Sequence, residues 1–389
     1  MEVVSEIVES IRTRGDKAVH EYASRFDKAN PSSFEISPEF LHAAEKRLKQ
    51  NSPDLYNALV RSRDLATAFA LRQKECFSDF EVALSPGLIT GQRTIPVDRT
   101  GVYVPAGRFP LFSSVIMGSV PAKAAGVEEI ILCSPPMPNP DPACATLPWV
   151  DERILGVASL CGISRVFAIG GAQAIASMAY GTETVPAVNV IVGPGNRYVA
   201  AAKKLVYGDV GIDMLAGPTE VMIIADETAH PAWIAADLLA QAEHDPDAQA
   251  VLLLRDPALA KKVQAEISVL VSSLPPEAAA RKSLANNSCI VLLGSWNEAV
   301  AIANRKAPEH LELAMNAGPV RQMLETSLRN YGSLFIGHRS AEVLGDYTAG
   351  LNHTLPTSGS AAFTGGLSVR HFLKTVTTLR TSGDRATSD

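Results

Sequence analysis

The chain has 389 residues, of which 47% are hydrophobic and 20% charged, so it is long enough for two or three domains and too apolar to be disordered. A formal net charge of −6 excludes the basic surface that nucleic-acid binding needs, and no uncharged stretch reaches the ~18 residues of a membrane span. Five scattered cysteines without a CxxC pair are typical of a reducing compartment and argue against a disulfide framework. We therefore expect a cytoplasmic globular protein that binds neither nucleic acid nor membrane.

The first 80 residues predict helices. Segments 4–26 and 37–50 repeat apolar residues at helical spacing, and Ser37 stands where an N-cap is expected. This part of the chain is therefore a helical N-terminal segment.

From about residue 100, short apolar strands alternate with helices, and the same alternation starts again at about residue 220. This pattern predicts an α/β protein with right-handed βαβ units and a mainly parallel sheet, in two similar domains. The proline-rich segment 135–148 predicts a surface loop, and the polar segment 378–389 predicts a frayed terminus.

Glycine-rich loops follow two strands of the first set. Gly170 and Gly171 open one helix, and segment 193–195 leads into a helix that starts at Asn196. Ligands of open α/β sheets bind where strands end, and helix N-terminal amides attract phosphate. Each loop alone is explained equally well as a tight turn, and neither matches GxGxxG, but together they favour a cofactor crevice.

An acid–base pair and a polar loop stand out in the second set. Glu309 and His310 are adjacent, which suits proton transfer, although a solvated helix start is the alternative. The loop 345–359 carries Asp346 and His353, and polar loops of this kind carry function more often than packing.

Gln241 and His244 are three residues apart, so on a helix both side chains point the same way. They either cap the following turn or hold a divalent metal together with Asp346. Because glutamine is an uncommon zinc ligand, spacing alone favours the cap.

Seven ordered blocks make the sequence similar to the histidinol dehydrogenase family: "VPAGRFPLFSSV", "GGAQAIASMAYGTE", "VGPGNRYVAAAKK", "DMLAGPTEVMIIAD", "LLAQAEHDPD", "APEHLEL" and "GDYTAGLNHTLPTSG". The resemblance covers nearly all of residues 1–378. It implies a zinc-containing, NAD-dependent homodimer that oxidises a small-molecule alcohol, L-histidinol, to the aldehyde and then to L-histidine, passing two hydrides to two NAD molecules.

The resemblance also implies two related, incomplete Rossmann-like domains. Residues 1–102 and 221–367 would form a discontinuous α/β domain with the metal and catalytic residues. Residues 103–220 would form the cofactor-binding domain, and 368–389 a short C-terminal tail.

Site residues carry over motif by motif. His310 resembles the base for the alcohol, and Glu309 the residue that activates water for the second oxidation. The implied zinc ligands are Gln241, His244 and Asp346. The implied cofactor contacts are Tyr103, Gln173 and Asn196. The implied substrate contacts are Thr219, Gln241, His244, His310, Asp346 and His353.

In the family a further C-terminal segment supplies a fourth zinc ligand, and we find no match to that segment after residue 378. Water, substrate, His338 or His371 would then complete the zinc shell. Two alternatives stay open at this point: a family paralogue that oxidises another alcohol, such as a sulfonated diol, in one step, and an inactive binding homologue.

Overall fold

A computed structural model describes residues 1–106, 110–137 and 149–381. The chain divides into two compact units. The first unit comprises Met1–Asp213, Tyr347–Asn352 and Leu367–Asp389, and the second unit comprises Met214–Asp346 and His353–Gly366. Most of the proline-rich segment 135–148 lies outside the described residues.

The elements alternate as the sequence predicts from about residue 100 onward. The helices are α1 (Glu2–Arg14), α2 (Asp16–Tyr22), α3 (Pro38–Asn51), α4 (Pro53–Lys74), α5 (Ser113–Ala125), α6 (Glu152–Leu160), α7 (Gly171–Tyr180), α8 (Arg197–Val206), α9 (Pro231–Ala242), α10 (Pro257–Ser272), α11 (Ala279–Asn286), α12 (Trp296–Lys306), α13 (Pro319–Ser327) and α14 (Val343–Tyr347). The strands are β1 (Glu35–Ile36), β2 (Phe80–Ser85), β3 (Leu88–Pro96), β4 (Arg99–Tyr103), β5 (Glu129–Ser134), β6 (Arg165–Ala168), β7 (Val190–Val192), β8 (Gly211–Ile212), β9 (Glu220–Ala225), β10 (Gln249–Leu254), β11 (Cys289–Leu292), β12 (His310–Ala314), β13 (Ser333–Ile336) and β14 (Leu373–Thr381).

The N-terminal helices belong to the first unit. The apolar stripe of α1, which includes Ile7 and Ile11, is buried in one core cluster with Phe167 and Ile175. The resemblance groups residues 1–102 with 221–367, whereas Met1–Asp213 lies in one compact unit in which α1 packs on α7 and α8. A periodic apolar stripe shows which face of a helix is buried, but it does not show which element packs against that face. Ser37 holds the N-cap position of α3, but its side chain makes no capping hydrogen bond.

A six-stranded sheet forms the centre of the first unit, in the order β1-β6-β5-β4-β7-β8. All neighbouring strands are parallel except β1, which runs antiparallel to β6. The prediction of a mainly parallel, Rossmann-like sheet is therefore confirmed. Gly126 ends α5 with a φ of 100°, the left-handed conformation that glycine adopts without strain.

A three-stranded antiparallel sheet, β14-β3-β2, completes the first unit. Residues 378–389, the polar end of the expected C-terminal tail 368–389, are predicted to be frayed, yet β14 pairs with β3 at nine positions, from Leu373 with Pro96 to Thr381 with Leu88. The prediction is wrong up to Thr381, because the threonine-rich segment finds a partner almost 300 residues earlier in the chain. Residues 382–389 lie outside the described part.

The second unit is built on a five-stranded, wholly parallel sheet in the order β11-β10-β9-β12-β13. Every residue of β9 is buried, and its alternate side chains enter two different core clusters, as expected for a strand covered on both faces. Residues from His310 onward form the inner strand β12, so the alternative of a helix start at that point is wrong. In the described ranges, no helix is long and apolar enough to cross a bilayer.

Candidate active site

The acid–base pair lies at the amino edge of the second unit's sheet. Glu309 directly precedes β12, and Thr219 directly precedes the neighbouring strand β9. From the sequence we expect ligands at the opposite edge, where parallel strands end. The site forms at the amino edge because α9 runs back along the sheet and returns its last turn, with Gln241, to where the strands begin.

The Glu309 carboxyl group is buried and held by two donors. Its Oε2 accepts a hydrogen bond from the Thr219 hydroxyl at 2.6 Å and from the Glu220 amide at 3.0 Å. Burial raises its pKa to about 8, with smaller contributions from the charges of Glu220 and Asp346, while the two hydrogen bonds oppose this rise. Glu309 therefore holds a proton close to neutral pH.

His310 is held as a neutral imidazole. Burial lowers its pKa to about 4, helped by the like charges of His353 and His244. Its Nδ1 lies 3.2 Å from the Glu220 carbonyl oxygen, which can only accept. Nδ1 therefore carries the proton, and Nε2 keeps the lone pair that a general base needs.

The expected metal-binding residues lie close to this pair. Gln241 is buried in the last turn of α9, whereas His244 follows the helix end and is exposed. Burial raises the pKa of Asp346, while the charges of His353 and His244 oppose this rise. The structure thus brings the predicted metal, catalytic and substrate residues of the second unit within electrostatic reach of one another.

Glu342 is a buried carboxyl group that the sequence analysis misses. Its Oε2 lies 3.5 Å from Nδ1 of His310, and Gln241, with its amide nitrogen turned towards it, donates to both carboxyl oxygens at 2.9 and 2.6 Å. Burial raises the pKa of Glu342 to about 9, and the charges of Glu312, Asp346 and Glu309 add to this rise. A single glutamate at a helix start carries no sequence signal for such a role.

Glu220 is a second missed residue. Its backbone contacts both Glu309 and His310, and its buried side chain forms an ion pair with Lys306 and accepts a hydrogen bond from the Ser358 amide at 3.1 Å. The available sequence signal is a charged residue at the first position of a strand that is otherwise wholly apolar.

The donor set is compatible with zinc in its chemistry. An imidazole, a carboxylate and an amide oxygen are nitrogen and oxygen ligands that zinc accepts, with the amide the least common. Burial raises the pKa values of Glu309 and Glu342, and the charge of Asp346 adds to both, so a cation is the partner that would relieve this repulsion. Within the described part of the chain, however, no group of three or more His, Cys, Asp or Glu residues is arranged to hold a metal ion.

The two histidines considered for a fourth ligand each make a hydrogen bond within the unit to which they belong. His338 follows β13 at the carboxyl edge of the sheet, opposite the acid–base pair, and its Nε2 lies 3.0 Å from the Thr228 hydroxyl. His338 is therefore not placed to be the fourth zinc ligand at this site. His371 belongs to the first unit, where its Nδ1 accepts a hydrogen bond from the Ser368 amide at 3.2 Å.

The three expected cofactor residues lie at the carboxyl edge of the six-stranded sheet. Tyr103 ends β4, Gln173 lies in the first turn of α7, and Asn196 caps α8. The Tyr103 hydroxyl accepts a hydrogen bond from the Gly171 amide at 3.1 Å, and burial raises the pKa of this phenol. Tyr103 and Gln173 are each only 2% exposed, whereas Asn196 is exposed.

The amides at these helix starts are already bound by side chains. Oδ1 of Asn196 accepts hydrogen bonds from the amides of Tyr198 and Val199, and Tyr103 binds that of Gly171. The expectation that these particular amides face a phosphate is therefore not met. Polar side chains and closely packed glycine backbone line this edge of the sheet.

The loop before Asn196 is fixed by a buried ion pair. Lys203 and Asp213 form this pair, with 3% and 0% of their side chains exposed. Lys203 Nζ donates to the Gly193 carbonyl oxygen at 3.1 Å, and Asp213 Oδ2 accepts from the Gly193 amide at 2.8 Å. Gly193 has a φ of 116°, and a Cβ there would lie 2.1 Å from the Tyr103 carbonyl oxygen, so only glycine fits.

Two mainly parallel sheets, one edged by glycine loops and the other by an acid–base pair, give the chain an α/β fold. The same fold occurs in indole-3-acetaldehyde dehydrogenase, at a TM-score of 0.54 and 16% identity over 98% of this chain and 87% of that one. The profile of the family described as histidinol dehydrogenase matches residues 1–388. The histidinol dehydrogenase of Methylococcus capsulatus is 44% identical over 386 residues, covering 98% of this chain and 85% of that protein. The crystal structure of histidinol dehydrogenase from Elizabethkingia anophelis superposes with a TM-score of 0.89 at 36% identity, covering 98% and 84%. The chain belongs to the histidinol dehydrogenase family.

Proposed function

We propose that the protein oxidises L-histidinol to L-histidine through the aldehyde, passing two hydrides to two molecules of NAD. The observation that carries this proposal is the arrangement of Glu309 and His310, adjacent in the chain and both tied to the backbone of Glu220. Family membership supports the substrate, because relatives about 40% identical over most of their length are histidinol dehydrogenases.

His310 acts as the base of the first oxidation. Its unprotonated Nε2 takes the proton of the substrate hydroxyl while the hydrogen on the same carbon leaves as a hydride. NAD, when bound, accepts that hydride. The fixed Nδ1–H···O=C hydrogen bond keeps the imidazole in the required tautomer. A positioned general base typically contributes ~10²–10⁴-fold to such a step.

Glu309 acts in the second oxidation, in which water adds to the aldehyde before the second hydride leaves. Its carboxylate, the form that predominates above its raised pKa of about 8, takes a proton from that water. The hydrogen bonds from Thr219 and the Glu220 amide hold the carboxyl group in place and favour its ionised form. Two adjacent residues thus divide the proton transfers of the two steps.

Zinc would be held by Gln241, His244 and Asp346, where it would act as a Lewis acid towards the amino-alcohol group of the substrate. Thr219 and His353 are proposed as further substrate contacts, of which Thr219 already orients Glu309. On the first unit, Tyr103, Gln173 and Asn196 are the proposed cofactor contacts.

The proposal is tested by following NADH formation from L-histidinol with added zinc and then with a chelator. We expect two NADH per histidinol and loss of activity with the chelator. A matched pair of variants is His310→Gln, which removes the base, and His230→Gln, which alters a histidine at the opposite edge of the sheet. If His310→Gln retains near-normal turnover, or if only other alcohols of a substrate panel are oxidised, the proposal is overturned.

We also propose that the enzyme is a cytoplasmic homodimer. Exposed Cys76 and Cys289 are free thiols, which suits a reducing compartment. Large apolar side chains are exposed on the three-stranded sheet, among them Phe80, Leu84 and Leu379, as is typical of a surface covered by another subunit. Sedimentation equilibrium of the purified protein tests the dimer, and a monomeric mass at micromolar concentration would overturn it.

A further inference from the structure

Asp27 is an unassigned carboxyl group at the proposed cofactor edge of the first unit. It ends a short π-helical turn, Ala23–Asp27, and is only partly exposed. Its Oδ2 accepts a hydrogen bond from Nε2 of Gln173 at 3.0 Å, and Gly170 donates a backbone hydrogen bond to the same carboxyl group. Asp27 thus meets α7 where the strand β6 ends.

The burial of its neighbours makes Asp27 the accessible group of this cluster. Tyr103 and Gln173 are both 2% exposed, so each offers a ligand only a small part of its side chain. The Gln173 amide is already used to orient the carboxyl group of Asp27, and the Tyr103 hydroxyl is bound to the Gly171 amide. A molecule that approaches this edge therefore meets the Asp27 carboxyl group.

The chemistry of a carboxylate selects among the parts of a dinucleotide. A carboxylate can only accept hydrogen bonds, so it suits the hydroxyl groups of a ribose and repels a phosphate. In Rossmann-like domains an acidic residue at this edge takes the ribose hydroxyls of NAD and disfavours the 2′-phosphate of NADP.

We propose that Asp27 binds the adenosine ribose diol of the dinucleotide and selects NAD over NADP, with Gln173 orienting the carboxylate. This inference rests on the proposed NAD-dependent function. The position of Asp27 also explains why Gln173 is buried, because a fixed amide donor holds the Asp27 carboxylate in one rotamer. Burial raises the pKa of Asp27 to about 6, and the hydroxyl donors of a ribose would offset that cost of ionisation.

The test is equilibrium binding of NADH and NADPH, measured by calorimetry, to the wild-type protein and to Asp27→Asn. We expect NADH to bind on the order of tenfold more weakly to the variant. NADPH should bind at least as well as to the wild type, so that the ratio of the two affinities shifts by about tenfold or more. Asp209→Asn is the control, because Asp209 is an exposed carboxylate of the same unit that accepts a hydrogen bond from Tyr180 at 2.8 Å.

The ratio of the NADH and NADPH affinities distinguishes a role of Asp27 in cofactor recognition from a purely structural role. If Asp27 only supports the fold, both affinities fall together and the ratio is unchanged, which overturns the inference. If Asp27→Asn does not fold, Asp27→Glu keeps the charge and must still exclude NADPH, and its failure to do so overturns the inference. Wild-type protein that binds neither dinucleotide and forms no NADH from histidinol would overturn the proposed function itself. Normal NADH binding with an unchanged ratio in Asp27→Asn overturns the inference alone.

Discussion

The buried Lys203–Asp213 pair allows a quantitative prediction. Replacing Lys203 by Met removes the ammonium group from a site where the two side chains are 3% and 0% exposed. Asp213 then keeps its hydrogen bond from the Gly193 amide but loses the ammonium group of Lys203. Breaking a buried pair from one side costs about 3–5 kcal/mol, because a charge stays in the interior without its counter-ion.

The change in Tm that corresponds to this free energy depends on the unfolding entropy, which scales with the size of the unit. The first unit has roughly 240 residues, so its unfolding entropy is about 0.5 kcal/mol/K at ~2.1 cal/mol/K per residue. We therefore expect Lys203→Met to lower the Tm of this unit by about 6–10 °C in differential scanning calorimetry. NADH affinity should fall as well, because the pair holds the loop that leads to Asn196.

Two further variants make this prediction specific. Lys204→Met changes the adjacent, exposed lysine of the same helix and should leave the Tm within about 1 °C, as surface substitutions usually do. Adding Asp213→Asn to Lys203→Met removes the remaining charge but keeps an acceptor for the Gly193 amide, so it should recover at least half of the loss. A Tm for Lys203→Met that matches that of Lys204→Met would refute the reasoning.

Three other outcomes follow from the site. Glu309→Gln should reduce oxidation of the aldehyde by ~10²–10⁴-fold and spare the first hydride transfer in single-turnover NADH measurements, whereas equal loss in both steps would contradict the assignment. Gly193→Ala should lower stability by about 2 kcal/mol or more in urea denaturation, because its Cβ would lie 2.1 Å from the Tyr103 carbonyl oxygen. For the metal-free protein, burial raises the pKa values of Glu309 and Glu312 to about 8 and of Glu342 to about 9. These folded-state pKa values exceed the ordinary carboxyl value, so the protonated carboxyl groups contribute their full stability to the fold below about pH 4.5, and this contribution is lost as the pH rises through 8 to 9. The Tm should therefore fall from pH 7 to pH 9. A Tm that does not change over this range would disprove this account.

Local patterns predict much of the fold. The apolar run of β9 and the helices that follow each strand are visible in the sequence, because burial on both faces of a parallel sheet leaves continuous hydrophobic segments. Gly126 ends α5 where its left-handed conformation is needed. These features depend on nearest neighbours in the chain, so a single sequence contains them.

Long-range pairing is what the sequence leaves open. The partner of β14 is β3, and the covering elements of α1 are α7 and α8. Neither pairing has a local signal, because periodicity defines a buried face without naming what lies against it.

The same reason limits prediction of the site. Family motifs point to Glu309, His310 and Gln173, but Glu342 and Asp27 become visible only when the fold sets Glu342 beside His310 and Asp27 beside Gln173. The location of the site at the amino edge also depends on the direction in which α9 runs back along the sheet, and no residue type predicts that direction.

The pairing of β14 with β3 has a consequence for biosynthesis. Because the first unit takes Leu367–Asp389 as well as Met1–Asp213, a ribosome must translate the whole second unit before the three-stranded sheet can close. Until then β3 has β2 as its only partner in this sheet, and its other edge is a row of unpaired backbone groups open to other chains. Contacts between such distant segments form slowly. We therefore expect nascent chains to be prone to aggregate through this edge after residue 96 is translated and until β14 is complete.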